Sequence, residues 1–128
     1  MNWVVLNFDG NTGPYVQYTY ARCCSILEKA GDFGKSNTIT AEAERNIIKT
    51  LALFPEKVEQ ARRDLEPSVI SRYLLDVCQE FNRFYHDCPV LKAEDEAVKN
   101  LRLAIVKGTS TVLHNGLTLI GLKCPKNI

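Results

Sequence analysis

The sequence predicts an all-α bundle of about four or five helices with a short extended N-terminal lead-in. Three observations predict it. Apolar residues recur at three- and four-residue spacing in every long segment, the period of a helix with one buried face. Glycine and proline clusters cut the chain into pieces of helical length. The composition, 45% apolar and 24% charged over 128 residues, is that of a globular domain and excludes a mainly disordered chain. That length suits one domain, expected to span residues 1–128.

The elements follow in chain order. Residues Trp3 to Phe8 allow a short strand or an extended lead-in, and Asp9-Gly10-Asn11-Thr12-Gly13-Pro14 is a turn cluster. Pro14 suits the first turn of a helix, where its missing N–H costs nothing, and Thr12 or Gly13 can cap it. Its apolar stripe is Val16, Tyr20, Cys23, Cys24 and Leu27, and Gly31 stops it. A second helix is expected after Thr40, from the cap-plus-acid pattern Thr40-Ala41-Glu42-Ala43-Glu44, with Ile47, Ile48, Leu51 and Leu53 as its apolar side. Pro55 begins a shorter helix to Leu65. Pro67-Ser68 opens a long one with the stripe Ile70, Tyr73, Leu74, Val77, Phe81, Phe84 and Tyr85, ending near Asp87. The last helix is expected from about Glu94 to Leu119, with Leu101, Ala104, Ile105, Gly108 and Val112 inward and a close helix approach at Gly108. The acids Glu94-Asp95-Glu96 complement its N-terminal dipole.

Charge and composition narrow the functions. Sixteen Lys+Arg against fifteen Asp+Glu leave +1, so a nucleic-acid partner must be held by a local patch and by stacking rather than by bulk charge. No run approaches the roughly 18 apolar residues of a membrane span, and no signal peptide is expected at Met1. Cys23, Cys24, Cys78, Cys88 and Cys124 show no CxxC spacing, which reads as reduced, mostly buried thiols in a cytoplasmic protein rather than a metal site. His86 and His114 read as surface or capping residues. No catalytic residue, metal or cofactor is expected in the chain.

Tyr15, Tyr18 and Arg22 stand at i, i+3 and i+7, on one face of the first helix and away from its core stripe. Such a face can stack on unpaired bases and hold phosphate with the guanidinium. It can equally pack against another helix, as the nearby Ile26 suggests. Asn11 and Gln17 can hydrogen-bond bases or backbone, or cap and solvate the helix entry. Tyr85 offers a further ring, or ordinary core. Of the cations Arg62, Arg63, Arg72, Arg83, Arg102 and Lys107, Arg83 and Arg102 are the candidates for a phosphate path. The Asp9 to Pro14 turn lacks the Lys-Ser/Thr of a phosphate-binding loop.

The string Phe8-Asp9-Gly10-Asn11-Thr12-Gly13-Pro14-Tyr15-Val16-Gln17-Tyr18-Thr19-Tyr20-Ala21-Arg22 closely resembles the start of the C-terminal helical anticodon-binding (DALR-type) domain of arginyl-tRNA synthetases. Glu66-Pro67 with Tyr73-Leu74, then Phe81-Asn82-Arg83-Phe84-Tyr85 with Cys88-Pro89-Val90, continue the match. Arg102-Leu103 through Val112-Leu113-His114-Asn115-Gly116-Leu117 to Leu119-Ile120-Gly121-Leu122 and Pro125 carry it to the end. The resemblance implies a non-catalytic module that binds the anticodon loop of arginine tRNA, in a cytoplasmic protein whose upstream catalytic domain uses ATP. Nothing here resembles that domain's HIGH or KMSKS signatures. It also implies that Tyr15, Tyr18, Tyr85 and Arg22 line the anticodon pocket. Tyr20 departs from the family's usual histidine, for which a packing change is expected. The chain ends Asn127-Ile128 where the family often has Arg-Met, so Ile128 is the candidate for the terminal apolar contact. The alternative is a helical protein–protein interaction module with the tyrosine–arginine face as its hot spot.

Overall fold

The computed structural model describes residues 12–122, 124 and 126. Five helices are formed among the described residues: α1 (Thr12–Ala30), α2 (Glu42–Ala52), α3 (Phe54–Asp64), α4 (Ser68–Asp87) and α5 (Glu96–Leu119). No strand occurs among the described residues. The Trp3–Phe8 segment, Asn11 and Ile128 lie outside them.

Helix α4 is the spine. Val77, Phe81 and Phe84 are fully buried along it, and Tyr73 is nearly so. Its partners are α2 and α3 on one side and α5 on the other, while α1 packs chiefly on α5. The Tyr73 hydroxyl donates to the carbonyls of Thr50 and Leu51 at 2.7 and 3.3 Å, which also accept from the Leu53 N–H, and so ties α4 to the end of α2. Burial pushes the Tyr73 hydroxyl well above its ordinary pKa. Gly31 ends α1 with φ +70°, a left-handed turn that glycine adopts without strain. Leu65 ends α3 in the same conformation at φ 54°, with Glu66 N–H donating to the Ala61 carbonyl at 3.0 Å.

Several local expectations are corrected. The start of α2 is not capped by Thr40. Ala41 occupies the cap position without a side-chain acceptor, and Glu44 Oε1 reaches back to accept from the Thr40 and Ala41 amides at 2.7 and 3.0 Å. Leu53 is 42% exposed, because it lies at the α2–α3 junction rather than on the α2 stripe. Helix α5 starts at Glu96, with Asp95 accepting from the Val98 amide at 2.9 Å. Ala104 is exposed, and Leu103, Val106, Leu113 and Leu117 are buried instead. Contacts with α1, α2 and α4 widen the covered arc of α5 beyond a single stripe. The close approach is at Gly116, where a Cβ would overlap the Leu74 methyls; at Gly108 it would make only ordinary contact with Leu51 at 3.5 Å.

Cys23, Cys78 and Cys88 are buried, and burial raises the thiol pKa of each, that of Cys78 to about 12. These are small apolar packing groups rather than nucleophiles. Tyr20 occupies the core side of α1 against the His114 ring, centroids 5.9 Å apart, with its own pKa raised to about 12 by burial and by its Cys24 hydrogen bond.

Candidate functional site

The tyrosine–arginine face of α1 is open. Tyr15 is 39% and Tyr18 56% exposed, and Arg22 is exposed on the same side. Ile26, only 4% exposed, lies beneath this face rather than on it. The heptad-like spacing therefore puts a buried floor and an aromatic rim side by side on one helix.

The C-terminal end of α4 supplies the opposite wall. The Arg22 guanidinium carbon lies over the Tyr85 ring, 5.6 Å from its centroid, which is within cation–π range. Tyr85 is half-buried and stacks at 14° on Phe81, centroids 6.0 Å apart, so the core fixes its plane. One helical turn earlier, Asn82 Nδ2 donates to the Tyr15 hydroxyl at 2.6 Å. Helices α1 and α4 are thus tied by two side-chain contacts at the site. Between them a groove of about 390 Å³ is lined by Tyr18, Arg22, Tyr85, Ser25, Lys29 and Lys126, with Ala21, Ile26 and Leu91.

Three of those nine residues are cations and none is an acid. Two other described grooves mix signs, Lys57 and Arg72 with Asp76, and Lys99 with Asp32, Glu94 and Glu96, while the apolar groove beside Leu65 holds the single cation Arg62. A chain of net charge +1 has concentrated positive charge here without a counter-carboxylate. Aromatic faces beside unopposed cations can bind an anionic ligand that carries planar rings.

The remaining sequence candidates are placed differently. Gln17 is half-buried on α1 and is not part of the groove lining. Arg83 is exposed on α4, paired with Glu80 at 3.0 Å and outside the groove. Arg102 is not brought to the site. Its Nε donates to Glu44 Oε2 at 2.6 Å and its Nη1 to the Pro89 carbonyl at 2.8 Å, with the Arg102 side chain 13% exposed and that of Glu44 fully buried. A guanidinium holding a buried carboxylate and a loop carbonyl is a structural clamp joining α2, α5 and the loop after α4. Burial works against the Glu44 charge, but Arg102 and the two backbone amides outweigh it and hold the carboxyl below the usual carboxylate range. Asn11 and Ile128 lie outside the described residues.

Sequence reading missed Asn82, Ser25, Lys29 and Lys126. For Ser25 and Lys29 a signal existed, since Tyr15, Tyr18, Arg22, Ser25 and Lys29 continue one spacing of three and four. Nothing local marks Lys126 or the Asn82–Tyr15 bond.

The chain belongs to the DALR anticodon binding domain family, which matches it over residues 16–128. Its similarity to particular proteins is consistent in kind. It is 46% identical to the arginine–tRNA ligase of Alkaliphilus metalliredigens over 126 residues, 95% of this chain and 22% of that protein. It is 47% identical to the arginine–tRNA ligase of Pyrococcus furiosus, over 94% of this chain and 21% of that one. The solved Thermus thermophilus arginyl-tRNA synthetase shares the fold with a TM-score of 0.88 at 37% identity, covering 96% of this chain and 22% of that one. The chain therefore spans about a fifth of the length of the relatives it matches. No described helix is long and apolar enough to cross a membrane.

Proposed function

We propose that this chain is the anticodon-recognition part of an arginine–tRNA ligase and binds the anticodon loop of arginine tRNA in the α1–α4 groove. The observation that carries the reading is the exposed Tyr18–Arg22–Tyr85 groove, cationic and free of carboxylates, in a chain of this family. Tyr15, Tyr18 and Tyr85 stack on splayed loop bases, with Tyr85 on the facing α4 wall, and Arg22 on α1 holds a base or phosphate. Each stacked base contributes about 1–3 kcal/mol. Discrimination between loops comes from hydrogen-bond fit, because a buried polar group left unpaired costs about 1–3 kcal/mol.

Arginine activation with ATP and transfer to the tRNA are left to the rest of the synthetase, in the cytoplasm. Binding at a site remote from that chemistry contributes there only if it helps assemble the catalytic arrangement. Fluorescence titration with an arginine-tRNA anticodon stem-loop and a non-cognate stem-loop tests the reading. Tighter binding of the cognate loop, weakened about tenfold or more by Tyr18→Ala, is expected. No binding at low salt, or equal binding of both loops, contradicts it. Sustained aminoacylation by this chain alone would contradict its non-catalytic role.

A further inference from the structure

We infer that α1 carries a directional track, with bases received at its N-terminal tyrosines and the flanking phosphodiester backbone held by Lys29 at its C-terminal end, with Lys126 as a second phosphate contact from across the same groove. This rests on the RNA reading above and adds two phosphate contacts and a polarity to it. Tyr15, Tyr18, Arg22, Ser25 and Lys29 fall within an arc of roughly 80° on α1 at 100° per residue. From Tyr15 to Lys29 the track rises roughly 21 Å at 1.5 Å per residue. A stacked strand rises about 3.4 Å per nucleotide, so the track is as long as roughly six nucleotides.

Its chemistry changes along that length. The first two positions are aromatic, the middle is a guanidinium engaged with Tyr85, and the last is an ammonium. Lys126, from the segment after α5, lines the same groove and adds a second lysine to it. Both lysines are exposed, and the groove offers them no carboxylate. An ammonium is a strongly hydrated point charge suited to a phosphate oxygen that needs no fixed geometry. Rings at one end and the Lys29 point charge at the other match a strand whose bases are splayed at the loop and whose backbone runs toward the stem. Lys29 also stands in the last turn of α1, where a cation favours the helix dipole. That role would affect stability without affecting RNA.

The test is the salt dependence of stem-loop binding by wild type, Lys29→Gln, Lys126→Gln, the double variant and Tyr18→Ala, with thermal melting of each. Each lysine variant is expected to weaken cognate and non-cognate RNA by the same factor and to reduce the slope of log K against log salt by about 1. Tyr18→Ala should lose affinity with the slope unchanged. A double variant that binds measurably with the wild-type slope overturns the track and leaves the anticodon reading standing. A lowered melting temperature with an unchanged slope assigns Lys29 to the helix end and also overturns it. Equal competition by a polyglutamate peptide would mark an acidic-protein dock instead. Absence of any wild-type RNA binding removes both proposals.

Discussion

Arg102 is the residue on which sequence and structure part most sharply, and its replacement has a distinctive signature. In Arg102→Met the side chain keeps its length and much of its packing but loses both charge-assisted bonds, to Glu44 at 2.6 Å and to the Pro89 carbonyl at 2.8 Å. Glu44 is then left fully buried with only the Thr40 and Ala41 amides as partners. Removing one member of a buried ion pair costs about 3–5 kcal/mol. In a chain of this size that lowers the melting temperature by on the order of 10–20 °C. The damage is also pH-dependent. The Glu44 pKa lies below its unfolded value, so its contribution is present above about pH 4.3 and is lost as pH falls through the folded pKa. Wild type should lose stability on acidification in that window, and Arg102→Met should lose less of it. Urea titrations between pH 3.5 and 7, paired with stem-loop binding well below the unfolding transition, measure both quantities. RNA affinity per folded molecule should stay within about twofold, well under the tenfold of 1.4 kcal/mol. A small stability change with a large affinity loss and a shallower salt slope would refute the clamp and return Arg102 to the RNA surface.

Three further outcomes are expected. Asn82→Ala and Tyr15→Phe should each weaken stem-loop binding by about two- to tenfold, the worth of one hydrogen bond, and the double variant should lose no more than either alone; additive losses in equilibrium binding would show that Asn82 does not act through Tyr15. Gly116→Ala should destabilise by about 1–3 kcal/mol despite its better helix propensity, because the new methyl overlaps Leu74, and Leu74→Ala should relieve part of that overlap in a denaturation double-mutant cycle. Leu65→Gly should stabilise by about 0.5–1 kcal/mol in urea unfolding, since Leu65 is 85% exposed and its left-handed backbone costs more with a Cβ than the glycine costs in chain entropy.

How much was legible depended on whether the determining contact was local. The α4 stripe was readable because its large apolar residues recur at helical spacing, and Ile70, Tyr73, Leu74, Val77, Phe81 and Phe84 are all buried. On α5 the expected Leu101 and Ile105 are buried but Ala104 is exposed, and the contacts with α1, α2 and α4 that bury Leu103, Val106, Leu113 and Leu117 could not be read from one stripe. Gly108 and Gly116 look alike in sequence; only Leu74 on a different helix tells them apart. At the site, the Tyr15–Tyr18–Arg22 spacing on α1 was local and legible. That Tyr85 belongs beside it came from the family resemblance, since 63 residues separate Tyr85 from Arg22 and no periodicity links them. Sequence reading singles out Arg102 as a phosphate candidate and passes over Lys126, for the same reason. A cation's partner, whether the Glu44 carboxylate or an open groove, is a tertiary fact.

The central claim is that RNA engages the α1–α4 groove, and residue-by-residue NMR titration of the chain with an arginine-tRNA anticodon stem-loop tests it most directly. The account predicts that the largest shifts fall on Tyr15, Tyr18, Arg22, Lys29 and Tyr85, with little change around Val58, Leu65 and Leu119 at the other end of α4. Shifts concentrated on Leu65 and Leu119, with the tyrosine rings unmoved, would contradict it.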